Sequence, residues 1–109
     1  MIVRGTTTTQ SFIVQLDLDT ISKVYITYVQ NGRTIIEKTE NDLIFNNIDK
    51  EIIVTLSQED TLSFFPYSNV GSDLILIQLR ILTNDGNAYA SSIIKERLTD
   101  VLKNGIIGD

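Results

Sequence analysis

The chain has 109 residues, the size of one domain, and its 42% hydrophobic and 21% charged residues exclude an intrinsically disordered polymer. Nine Lys and Arg against fourteen Asp and Glu give a net charge of −5, which excludes an electrostatically driven partnership with nucleic acid or an anionic membrane. There is no His, Cys or Trp, so the commonest general base, the soft metal ligands and any disulfide are missing, and neither a cofactor nor catalysis is expected.

The opening Met1-Ile2-Val3-Arg4-Gly5 and the run Thr6 to Thr9 lack the apolar core of a leader peptide. The longest aliphatic run, Leu74 to Ile77, is far too short to span a bilayer. No Asn-Xaa-Ser/Thr acceptor occurs, so synthesis and folding in a reducing cytoplasm are expected. Residues 1–10 read as an N-terminal arm, either pinned by a neighbouring molecule or adding a strand to the chain's own sheet.

Ser11 to Leu18 alternates, with Phe12, Val14, Leu16 and Leu18 on one face, and Asp19-Thr20 and Ser22 punctuate it before a strand from Lys23 to Gln30. Asn31-Gly32 tolerates the positive φ of a type I′ turn. A two-residue turn there places Tyr28 opposite Ile35 and Thr27 opposite Ile36 in the returning strand, Arg33 to Thr39. Asp42 to Phe45, ended by Asn46-Asn47, and Lys50 to Leu56, with Ile52, Val54 and Leu56 facing one way, supply two more strands. Ser57 with Asp60 three residues on has the form of a capping box and predicts one helical turn linking two sheets, after which Leu62 and Phe64 re-enter the core.

Phe65 to Ser72, containing the lone proline Pro66, is non-periodic and reads as a surface loop or a bulged edge. Asp73 to Leu82 is the most apolar strand, and Ala88 to about Lys95 pairs back with it across Asn84-Asp85-Gly86. Ile94, Leu98, Val101 and Leu102 fall at helical spacing and predict a short helical turn at Thr99 to Lys103, closed by Asn104-Gly105, so that residues 99–109 form a turn and tail. About seven strands with at most one or two helical turns predict an all-β fold. The expected architecture is a single antiparallel β-sandwich, immunoglobulin-like, over residues 1–109, with a small barrel as the alternative.

Candidate chemistry is sparse. Ser92-Ile93-Ile94-Lys95 matches Ser-Xaa-Xaa-Lys, but a strand turns positions three apart to opposite faces, where the lysine cannot take the serine proton. Asp17 and Asp19 share one strand face and could pair as carboxylates or calcium ligands, against the plainer reading of solvated charges at a strand end. Glu59-Asp60 and Asn84-Asp85-Gly86-Asn87 lack the alternating acidic spacing of a calcium loop and read as turns. Of Tyr25, Tyr28, Tyr67 and Tyr89, Tyr28 reads as core and Tyr67, beside Pro66, as an exposed contact residue.

The stronger clue is an excess of apolar surface. Phe12 with Ile13, Ile35 with Ile36, Ile52 with Ile53, and Leu74 through Ile77 put apolar side chains on both faces of their strands, whereas a two-layer sandwich buries one face of each sheet. Ile13, Tyr25, Val29, Ile36, Ile53, Leu74 and Leu76 are therefore the interface candidates, and a homo-oligomer or a larger assembly is expected. Pro66, Tyr67, Asn31 and Asp85 are loop-contact candidates, grouped as one end of the sandwich in a receptor- or carbohydrate-binding alternative.

Four segments carry a resemblance: Met1-Ile2-Val3-Arg4-Gly5-Thr6-Thr7, Ile26-Thr27-Tyr28-Val29-Gln30-Asn31-Gly32, Leu56-Ser57-Gln58-Glu59-Asp60-Thr61-Leu62 and Leu82-Thr83-Asn84-Asp85-Gly86. Together they resemble a family of small uncharacterised β-rich proteins carried by phages and prophages. The family pattern often has a proline after the two opening threonines, where this chain has Thr8. The resemblance spans most of the chain but rests on turns and strands, so it implies a shared fold and a virion or assembly component, with no catalytic residue to carry over. A non-enzymatic structural protein of the capsid, neck, tail or baseplate, located in the virion and partnered by its own copies and other virion proteins, is the expected function.

Overall fold

Alternating apolar and polar residues form strands along most of the chain, as the computed structural model shows for the residues it describes, 1–66, 73–103 and 105–108. Among these residues nine strands occur: β1 (Ile2–Val3), β2 (Thr8–Ile13), β3 (Ile21–Gln30), β4 (Arg33–Thr39), β5 (Leu43–Asn46), β6 (Glu51–Leu56), β7 (Leu74–Thr83), β8 (Ala88–Ala90) and β9 (Ile94–Thr99). A single α-helical turn, α1 (Gln58–Leu62), and short 3-10 turns at Leu18–Thr20 and Glu40–Asp42 complete them. The all-β expectation holds.

A large sheet runs β1-β9-β7-β3-β4 with β8 also paired to β7, and a small sheet runs β2-β6-β5. Because β1 lies parallel to β9, the large sheet is mixed rather than purely antiparallel as expected. Alternation turns Val24, Ile26 and Tyr28 of β3, Ile75 and Ile77 of β7, and Ile52, Val54 and Leu56 of β6 into one cluster, each fully buried. Each such aliphatic side chain contributes roughly 1.5–3 kcal/mol. Phe64, just after α1, closes this core edge-on to Tyr28, with ring centroids 6.3 Å apart and planes at 63°.

The β3–β4 hairpin turns as expected but pairs differently. Asn31 and Gly32 have φ of 51° and 75°, the positive values of a type I′ turn. Tyr28, however, faces Ile36 and Thr27 faces Glu37, because the register shifts between Tyr28 and Val29 and leaves Ile35 as an extra residue. This bulge inverts the faces of the strand beyond it. Ile36, expected to point outward, is therefore 8% exposed and belongs to the core.

The segment expected as an arm adds strands to the chain's own sheets: Ile2 pairs with Leu98, and residues Thr8 to Ile13 run antiparallel along β6. The strand expected to reach Leu18 stops at Ile13, and Asp17 instead caps the 3-10 turn, its carboxylate accepting from the Asp19 amide at 3.1 Å. The expected strand Ala88 to Lys95 is split. β8 pairs with Arg80 to Leu82 and β9 with Leu74 to Ile77, while Ser91 between them binds the Leu79 backbone through both its amide and its hydroxyl. The helical turn expected at Thr99 to Lys103 is absent: β9 continues through Thr99 and no helix follows among the described residues.

Polar side chains, some of them buried, fasten the turns to the sheets. Ser57 and Asp60 form the anticipated capping box of α1, and Lys38 of β4 bridges to Asp60 at 2.9 Å. Arg4, 7% exposed, donates to the Phe64 carbonyl at 2.9 Å, the Leu62 carbonyl at 3.2 Å and the Asp100 carboxylate at 2.8 Å. Gln30 is fully buried and clasps Phe65 through both its amide atoms.

Candidate functional site: the outer faces of the two sheets

Residues of β3 and β7 that alternate with the core form the outer face of the large sheet. Tyr25 lies opposite Arg80, Thr27 opposite Gln78 and Val29 opposite Leu76, while across β7 Leu76 meets Lys95 and Leu74 meets Arg97. Four of the seven interface candidates, Tyr25, Val29, Leu74 and Leu76, thus share this face. Ile93, 56% exposed in the break between β8 and β9, lines a shallow depression there with Val29, Leu76 and Gln78. Lys23, Arg80, Lys95 and Arg97 are exposed around these apolar residues, and Arg97 is ion-paired with Asp73.

The outer face of the small sheet collects two more candidates. Ile53 lies between Ser11 and Ile44, and Ile13 lies opposite Glu51. Ile13 and Ile44 are 71% and 65% exposed, and Ile48 in the following turn 92%. None of β2, β5 and β6 contains Lys or Arg. Asp49 is drawn to this face by Asn46, whose amide donates to its carboxylate at 3.1 Å. Ile36, the remaining candidate, is in the core for the reason given above.

The loop-contact candidates do not form one surface. β3 ends at the Asn31 turn, whereas β7 runs antiparallel to it and reaches the Asp85 turn beside Ile21, the start of β3. About 30 Å of strand therefore separates the two tips. Pro66 is exposed and belongs to the Asn31 end, where Gln30 holds Phe65. Tyr67 lies outside the described residues. Asp85 is occupied within its own turn: hydrogen bonds from the Thr83 hydroxyl and then from the Asn87 amide hold its carboxyl below the usual range.

Of the chemistry candidates, Asp17 and Asp19 serve turns. Asp17 is a cap, and Asp19 accepts from the Asn47 side-chain amide at 3.2 Å. Ser92 sits in the break before β9 and Lys95 within it. Among the described residues no group of three or more acidic side chains could hold a metal ion, and no helix is long and apolar enough to cross a membrane. An open recess of about 380 Å³ lies between the segment that follows β2 and strands β7 and β8, its lining including Val14, Leu16, Leu79, Ile81 and Tyr89. Neither a carboxylate nor a cation lines it.

No family model matches the chain, and no curated protein matches it. Ile44, Ile48 and Ile93, none of them an interface candidate from the sequence, enlarge the exposed apolar surface. Ile44 was legible as the outward partner of Leu43 and Phe45; Ile48 falls in a turn, where alternation carries no information, and Ile93 in the break that splits the expected strand.

Proposed function

We propose that the chain is a non-enzymatic structural component of a phage particle, an immunoglobulin-like β-sandwich that assembles through the outer faces of its sheets with other copies of itself and with other virion proteins. The observation that carries this reading is the exposure of aliphatic side chains on both outer faces, Ile13 and Ile44 on one and Ile93 beside Val29 and Leu76 on the other. Strand order supports the sandwich: β9-β7-β3-β4 against β2-β6-β5 matches strands G-F-C-C′ opposed to B-E-D of a variable-type immunoglobulin domain. The phage setting rests on the resemblance carried by the opening, hairpin, capping-box and Asn84-Asp85-Gly86 segments.

Burial rather than bond-making is the activity such a surface performs, since each exposed isoleucine stabilises whatever contact removes it from water. Quantitative mass spectrometry of purified particles tests the proposal. A fixed integer ratio of this protein to the major capsid or tail protein is expected, and absence from particles refutes a virion role.

A further inference from the structure

We infer that the two outer faces are the complementary halves of one head-to-tail contact, the large sheet of one copy stacking on the small sheet of the next. This rests on the reading of the chain as an assembly component and deepens it by naming which surfaces meet.

Charge distribution is the first argument. The chain carries −5 overall, yet the outer face of the large sheet displays Arg80 and Lys95 beside its apolar centre, with Glu37 on its β4 side and Lys23 set against Glu40. Arg97 is already matched by Asp73. The opposite face reverses the sign: Glu51 and Asp49 flank Ile13, Ile44 and Ile53, and Lys50 is the cation of the adjoining turn. Evenly spread negative charge would make copies repel one another in every orientation. Segregated as it is, like faces still repel while unlike faces attract, so charge selects one arrangement.

Shape agrees with charge. The molecule is 18 Å deep and its broad side measures 46 by 34 Å, ample for the roughly 800 Å² per partner that a stable interface buries. Isoleucines on one side and Val29, Leu76 and Ile93 on the other supply the apolar centre, and the charges form the rim. Because the two patches differ, a docked copy leaves its own second face free. The contact therefore propagates into a closed ring or an open stack and does not stop at a two-fold dimer.

Two double variants test it by sedimentation velocity on the full chain over a concentration series. Arg80→Glu with Lys95→Glu reverses the large face, and Asp49→Lys with Glu51→Lys reverses the small one. Retained far-UV circular dichroism and melting confirm folding of each. The wild type is expected to form concentration-dependent oligomers that weaken as salt is raised. Each double variant alone should lose association, with an apparent dissociation constant raised at least about tenfold. Their equimolar mixture should recover it, because each reversed face then meets its opposite. Either variant associating like the wild type, or a mixture that stays monomeric, overturns the contact. A monomeric wild type overturns it too, and if that protein is present in particles at fixed ratio the structural role stands without the self-contact.

Discussion

The Tyr28 hydroxyl donates a hydrogen bond to Gln10 Oε1 at 2.6 Å, tying β3 of the large sheet to β2 of the small one through the core. Burial, reinforced by the negative charges of Asp60 and Glu96, pushes the phenol pKa well up, so Tyr28 stays a neutral donor across the physiological range. Tyr28→Phe should cost about 1 kcal/mol. Tyr28→Ala, which also vacates the space against Phe64, should cost about 3–5 kcal/mol. Urea denaturation of both variants separates the hydrogen bond from the ring.

Ile36 and Leu76 distinguish core from outer face. Ile36→Asp buries a carboxylate opposite Tyr28 and should leave the protein unfolded by circular dichroism, while Leu76→Asp, on the outer face of β7, should fold with a native spectrum. Equal loss of structure in both would place Leu76 in the core.

Arg4 satisfies two backbone carbonyls and one carboxylate from a buried position. Arg4→Ala leaves the Phe64 and Leu62 carbonyls without that donor and should cost about 3 kcal/mol. Arg4→Lys should restore little, since a single ammonium lacks the planar fork that reaches three acceptors. The readout is the denaturation midpoint relative to wild type.

Acid should weaken the fold through carboxylates whose pKa values lie below the ordinary range. At Asp60 desolvation opposes ionisation, but the Ser57 amide and the Lys38 ammonium more than offset it; at Asp100 the Val101 amide and then Arg4 lower the value. Lowered native pKa values mean that the unfolded chain binds more protons, so this stabilisation is complete above the ordinary Asp value of 3.8 and is lost as pH falls through the native ones. Melting temperatures should fall in that window, and less steeply in Asp60→Asn, which has already lost the titrating group.

The parts legible in the sequence were those fixed by local chemistry. Asn31-Gly32 dictates its turn because few other residues accept two successive positive φ values, and Ser57 with Asp60 makes a capping box from four adjacent residues. The outer face of the large sheet was legible by the same logic, since Tyr25, Val29, Leu74 and Leu76 follow strict alternation. Failures arose where pairing partners decide. The bulge at Ile35 depends on fitting two strands together, and it reversed the side of Ile36. Ile94 and Leu98 are four apart, a spacing shared by a helical face and a strand face, and their strand is selected by β7 and β1, which the local pattern does not contain. Asn31 and Asp85 look alike as turn tips, but antiparallel pairing of β3 and β7 sends them to opposite ends.

The parallel pairing of Ile2 with Leu98 joins residues separated by nearly the whole sequence, with β1 held at the edge of β9. During synthesis β1 leaves the ribosome long before its partner exists, and it stays without that partner until β9 has itself found β7. Closure of this edge is thus a late event in folding, and one set by chain topology more than by local preference. Until it happens, β9 offers its open backbone to any strand nearby, and the same edge is then the place where newly made chains would pair wrongly with one another.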